Sequence, residues 1–86
     1  MMKKNNLVII DVRTKAEHER GHIPDSINIP LARIQSVRTI VPNLHSKVHL
    51  YCKSGVRSGQ AADIMEEMGY TDVTNIGGYP PGNTNP

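Results

Sequence analysis

The chain has 86 residues and a mass of 9.5 kDa, room for one domain over 1–86 and no second core. Apolar residues are 37% and charged residues 21%, an ordinary globular balance; with no Trp or Phe and three Tyr, the core must come from Ile, Val, Leu, Met and Ala. Ten Lys and Arg against eight Asp and Glu give +2, too little for a nucleic-acid stripe, and the single cysteine excludes an internal disulfide or a Cys-rich metal centre.

The chain opens on a basic stretch, MMKKNN, but Asp11 follows after only four apolar residues. That is too short for a signal-peptide core or a membrane helix. The chain therefore reads as soluble and cytoplasmic; the mature form of an exported, periplasmic protein would read the same way. Leu7–Val12 is nearly continuous Leu, Val and Ile, as expected of a strand covered on both faces. Thr14 can cap a short helix through about Arg20, which Gly21 stops. Ile27–Ile29 reads as a second strand, closed by Pro30. Leu31, Ile34, Val37 and Val41 then recur at helical spacing until Pro42.

Val48–Cys52 alternates Val48, Leu50 and Cys52 against His49 and Tyr51, a third strand. Residues 57–68 make the clearest helix, with Ala61, Ile64, Met65 and Met68 on its apolar face and Gly69 after it. Val73–Ile76 is the fourth strand, and a low-complexity GGYPPGNTNP closes the sequence. The expected core covers about 7–78, with 79–86 a polar Pro/Gly tail. Strands alternating with helices predict an α/β fold, a parallel sheet of about four to five strands flanked by helices. Ligands in such sheets bind beyond the carboxyl ends of the strands, where Asp11 and Cys52 stand.

The segment Cys52-Lys53-Ser54-Gly55-Val56-Arg57-Ser58 carries the chemistry. A thiol at a strand end, followed by a tight loop into a helix N-terminus, faces backbone N–H groups that lack helical partners. These donors and the helix dipole favour an anion, so the Cys52 thiol should ionise more readily than a free one. Lys53 and Arg57 add positive charge, Gly55 lets the backbone turn, and Ser54 and Ser58 offer hydroxyls. Lone cysteines in small proteins are mostly inert core residues, but this polar setting favours a reactive, exposed thiol open to oxidation. Arg57 opposes the helix dipole and so requires a reason to be there.

At this loop the sequence resembles the rhodanese family, the thiosulfate sulfurtransferases. The Cys-x4-Arg-Ser spacing is similar to the family's active-site loop. Asp11-Val12-Arg13, Glu17, Gly21-His22-Ile23-Pro24 and Ile27-Asn28-Ile29-Pro30 are similar to its N-terminal signature. The likeness runs from about residue 7 to Gly78 and is greatest to short single-domain bacterial members, phage-shock-associated ones included. It implies a small rhodanese-like domain in which Cys52 takes the outer sulfur of thiosulfate as a persulfide and passes it to cyanide or a thiol. Residues 53 to 57, with Ser58, would cradle the sulfur and the anionic substrate, Val56 among them, and Arg57 would hold the loop and the oxyanions. Asp11 and Arg13 would be supporting residues. No cofactor or metal is implied, and the partners would be small molecules or a thioredoxin-like protein meeting a monomer. Related phosphatases and arsenate reductases use a loop one residue longer, which disfavours phosphoryl transfer here. A persulfide relay between proteins, with slow turnover on thiosulfate, remains the alternative use of the same cysteine.

Arg13 and Glu17 are spaced for an i,i+4 ion pair. His18 and His22 are four apart, but Gly21 between them argues against a shared metal, and His22 reads as a hydrogen-bonding turn residue. Position 18 is His where the family usually has an aromatic, a change expected to weaken one packing contact. Asp25 and Ser26 replace the common Gly-Ala after the turn proline; Asp tolerates a left-handed backbone.

Overall fold

A computed structural model describes residues 7–79, so the basic stretch 1–6 and all but Tyr79 of the expected 79–86 tail lie outside the described residues. Four strands, β1 (Val8–Asp11), β2 (Ile27–Asn28), β3 (Val48–Cys52) and β4 (Val73–Gly78), form one parallel sheet in the order β2-β1-β3-β4. Helix α1 (Lys15–Glu19) follows β1, and its N-cap Thr14 forms a capping box with Glu17. Helix α3 (Val56–Glu67) packs on β3 and β4. Among the described residues no helix is long and apolar enough to cross a membrane.

Ile10, Val48, Leu50 and Val37 are wholly buried, each worth about 1.5–3 kcal/mol of transfer free energy. Tyr51 departs from the expected alternation. It is fully buried rather than facing out, because β3 is an inner strand covered on both faces. Its hydroxyl receives the Ile23 N–H at 3.0 Å and pairs with Ser26 Oγ at 2.9 Å. The expected helix after Pro30 is instead a 3-10 segment, Leu31–Ser36, distorted at Arg33, that runs into a one-turn helix α2 (Val37–Ile40). Leu31, Ile34 and Val37 lie three apart, a spacing that aligns on a three-residue turn.

Helix α3 starts one residue earlier than expected, with Gly55 at its N-cap in the left-handed region (φ 95°). Ala61 and Met65 are buried, while Ile64 and Met68 are half-buried on the same side. Strand β4 runs two residues beyond Ile76. Leu50 pairs with Asn75, but Tyr51 pairs with Gly77, so Ile76 is the extra residue of a bulge. Gly77 and Gly78, expected to follow the strand, are thereby the end of the sheet's edge strand. In the turn before β2, Asp25 does take the left-handed conformation, at φ 70°.

Candidate active site

β3 delivers Cys52 to the carboxyl edge of the sheet, and the 53–55 loop folds back over it into α3. Its Sγ accepts the Gly55 N–H at 2.9 Å and the Ser58 N–H at 3.4 Å, with Ser58 Oγ also at 3.4 Å. Burial pushes the thiol up, but the Ser58 hydroxyl and the N–H groups of Ser58, Ser54 and Gly55 outweigh it and hold it below the usual thiol range. The expected exposed thiol is a correction: Cys52 has no exposed surface. It is buried among donors as well as apolar neighbours, because the loop that polarises it also covers it.

Ser58 is buried too, whereas Lys53, Ser54 and Val56 are exposed around the loop, Val56 to 65%. Arg57 makes no hydrogen bond to Sγ; it forms a two-pronged ion pair with Glu17, Nη1–Oε1 at 2.8 Å and Nη2–Oε2 at 3.0 Å. That pair is the reason for a cation at this helix start. It corrects the expected Arg13–Glu17 pair, since Glu17 at the capping box reaches across to the loop instead. Arg57 lowers the Glu17 carboxyl to about 2, helped by the Thr14 N–H.

Arg13 turns back to Asp11, with Nε to Oδ1 at 2.9 Å and Nη2 to Oδ2 at 2.8 Å, and donates to Gly21 O at 2.7 Å. Its guanidinium lies 4.9 Å from the Tyr79 ring centre and 5.5 Å from that of Tyr51. His18 Nδ1 meets Asp11 Oδ2 at 2.8 Å, and the His18 and His22 rings stack with centres 3.7 Å apart. His22 Nδ1 meets His18 O as a turn residue. Among the described residues no three His, Cys, Asp or Glu side chains gather as a metal site. A hollow of about 260 Å³ lies beside the loop, lined by Arg13, Glu17, Arg20, Gly21, Lys53 and Tyr79. Three cations against one carboxylate suit it to an anion.

Two supporting residues escaped the sequence reading. Asn75 bonds both Ser58 and Gly55, and Gly78 lies directly under Lys53. A Cβ on Gly78 would land on the Lys53 carbonyl oxygen and come within 3.1 Å of its carbon, both backbone atoms that cannot move alone. Gly78→Ala is therefore expected to cost about 1–3 kcal/mol and to displace the loop. Urea unfolding reads the cost; an unchanged midpoint would contradict the close packing.

The rhodanese-like domain pattern matches residues 1–81. The chain is 44% identical over 70 residues to the thiosulfate sulfurtransferase PspE of Escherichia coli (strain K12), covering 80% of this chain and 67% of that protein. It is 40% identical over 74 residues to YqhL of Bacillus subtilis (strain 168), covering 81% of this chain and 55% of that one. The chain thus spans between half and two thirds of these relatives. A solved rhodanese with anions from E. coli superposes with a TM-score of 0.81 at 42% identity, over 84% of this chain and 86% of that one.

Proposed function

The chain belongs to the rhodanese family, and from that premise we propose that it is a single-domain thiosulfate sulfurtransferase working through a persulfide on Cys52. The observation that carries the reading is the set of N–H and O–H donors converging on one buried Sγ whose ionisation they favour. The Cys52 thiolate attacks the outer sulfur of thiosulfate. An Sγ–S bond forms, the S–S bond of thiosulfate breaks, and sulfite leaves with the electron pair. The negative charge then sits on the outer persulfide sulfur, where cyanide or a thiolate attacks it and returns Cys52 as a thiolate.

The main-chain N–H groups of Ser54, Gly55 and Ser58 stabilise the charged sulfur, as preorganised donors do for any developing anion. Lys53 attracts the dianion to the neighbouring hollow. Arg57, held by Glu17, fixes the start of α3 and supplies a positive field, while Asp11 and Arg13 brace the opposite wall. Val56 at the exposed rim leaves room for the acceptor, a small thiol, cyanide or a thioredoxin-like protein, to approach a monomer.

Intact mass spectrometry after incubation with thiosulfate tests the reading. The expected result is a gain of one sulfur atom that cyanide removes and that Cys52→Ser never shows. No gain at neutral pH would refute it.

A further inference from the structure

Ser58 Oγ carries one proton but has two acceptors in reach, Asn75 Oδ1 at 2.7 Å and Cys52 Sγ at 3.4 Å. Asn75 cannot rotate its amide to avoid this competition. Its Nδ2 donates to Gly55 O at 3.0 Å, and its Oδ1 also accepts the Gly77 N–H at 3.0 Å. The bulge at Ile76 brings this side chain over the start of α3. There it lies against Gly59, where a Cβ would stand in ordinary contact, 3.4 Å from Asn75 Nδ2.

We propose that Asn75 is a positioning residue that holds the Ser58 hydroxyl as a rotor, released to Sγ while that sulfur is charged and reclaimed once the charge moves to the outer sulfur. The proposal rests on the persulfide reading above and adds a residue from the far strand to it. A hydrogen bond at 2.7 Å to an amide oxygen is preferred over a long one to a neutral sulfur, so Ser58 points to Asn75 when Sγ is a thiol or the inner atom of a persulfide. A thiolate is a stronger acceptor, and Ser58 then turns to it. Asn75 Oδ1 keeps its Gly77 partner meanwhile and is never left unpaired. No bond to hydrogen breaks in the cycle; only the O–H direction changes. The neutral-to-charged preference is thereby paired with the state of the reaction.

A double-mutant cycle read by thiol titration, not turnover, tests this. The thiolate absorbance and the pH profile of iodoacetamide alkylation are measured for Asn75→Asp, Ser58→Ala and the double variant. Arg57 of α3, paired with Glu17 of α1, acts on the Cys52 charge only through its field and is present in all four proteins. Asn75→Asp should fasten the Ser58 proton to the new carboxylate and raise the thiol midpoint by about one unit or more. In the Ser58→Ala background the same substitution should raise it by less than half as much, because only the direct effect of the charge and the loss of the Gly55 bond remain, and these are common to both backgrounds and cancel in the cycle. Equal shifts in both backgrounds, or no shift, would overturn the proposal. Should Asn75→Asp fail to fold, the Asn75 side-chain amide resonance of the unmodified protein gives the answer. It should follow the Cys52 titration and lose most of that response in Ser58→Ala; an equal response in both overturns the rotor. Neither readout uses thiosulfate, so a failed sulfur transfer leaves this result separately legible.

Discussion

Cys52→Ser is expected to lower thiocyanate formation from thiosulfate and cyanide by about three orders of magnitude or more, to the rate without protein. The donors around position 52 lie 2.9 and 3.4 Å from a sulfur and favour its ionisation. They cannot bring a serine hydroxyl to ionise near neutrality, and oxygen offers no route to a persulfide. The substitution should leave stability nearly unchanged, since a small polar atom in the same position keeps most of these donors satisfied. Steady-state kinetics with a matched thermal melt check both halves. Turnover that survives in a folded Cys52→Ser protein would remove the cysteine from the reaction. A wild-type protein that gains sulfur readily yet turns over negligibly with cyanide would point to a relay that hands the sulfur to another protein.

How much of this site could be read from the sequence depends on how local each feature is. The strand-loop-helix around Cys52 was legible, because a thiol, a glycine and two hydroxyl residues within seven positions define both the turn and its donors. The oddity of a cation at the helix start was legible too, but not its cause, since Glu17 lies 40 residues away and its i,i+4 spacing from Arg13 suggested a local partner. Tyr51 was misplaced because alternation describes a sheet with one wet face, and β3 has none. Asn75 and Gly78 were hidden by the bulge at Ile76. A strand ending at Ile76 leaves both glycines beyond the sheet, whereas one extra residue swings Gly78 under Lys53 and Asn75 onto Ser58. The 3-10 segment was misread for a different reason: a three-residue repeat of Leu31, Ile34 and Val37 satisfies two helical periods at once.

Asp11→Asn is expected to cost about 3–5 kcal/mol of stability at neutral pH, more than Cys52→Ser or Gly78→Ala. Asp11 is fully buried and uses both oxygens. Oδ1 accepts the Arg13 N–H and Nε, both at 2.9 Å, and Oδ2 accepts Arg13 Nη2 and meets His18 Nδ1, both at 2.8 Å. The amide removes the charge and turns one oxygen into a donor, which faces either Arg13 or the His18 ring, so a nearly buried guanidinium loses its counter-ion. For a domain of this size the loss corresponds to a fall of about 12–40 °C in Tm. The pH dependence gives a second signature. Burial raises the Asp11 carboxyl, but Arg13 and His18 outweigh it and hold it below the usual carboxylate range, while Glu17 is lowered to about 2. Both are depressed in the fold, so their contribution is complete above pH about 4.5 and is lost as pH falls through the folded values, for Glu17 about 2. Wild-type stability should therefore hold from neutrality to about pH 4.5 and drop steeply below it. Asp11→Asn should start lower and decline less steeply, retaining the Glu17 part of the acid limb. Denaturant melts at a series of pH values measure this; an Asp11→Asn protein within about 0.5 kcal/mol of wild type at pH 7, or one with an identical acid limb, would show that Arg13 does not depend on this carboxylate.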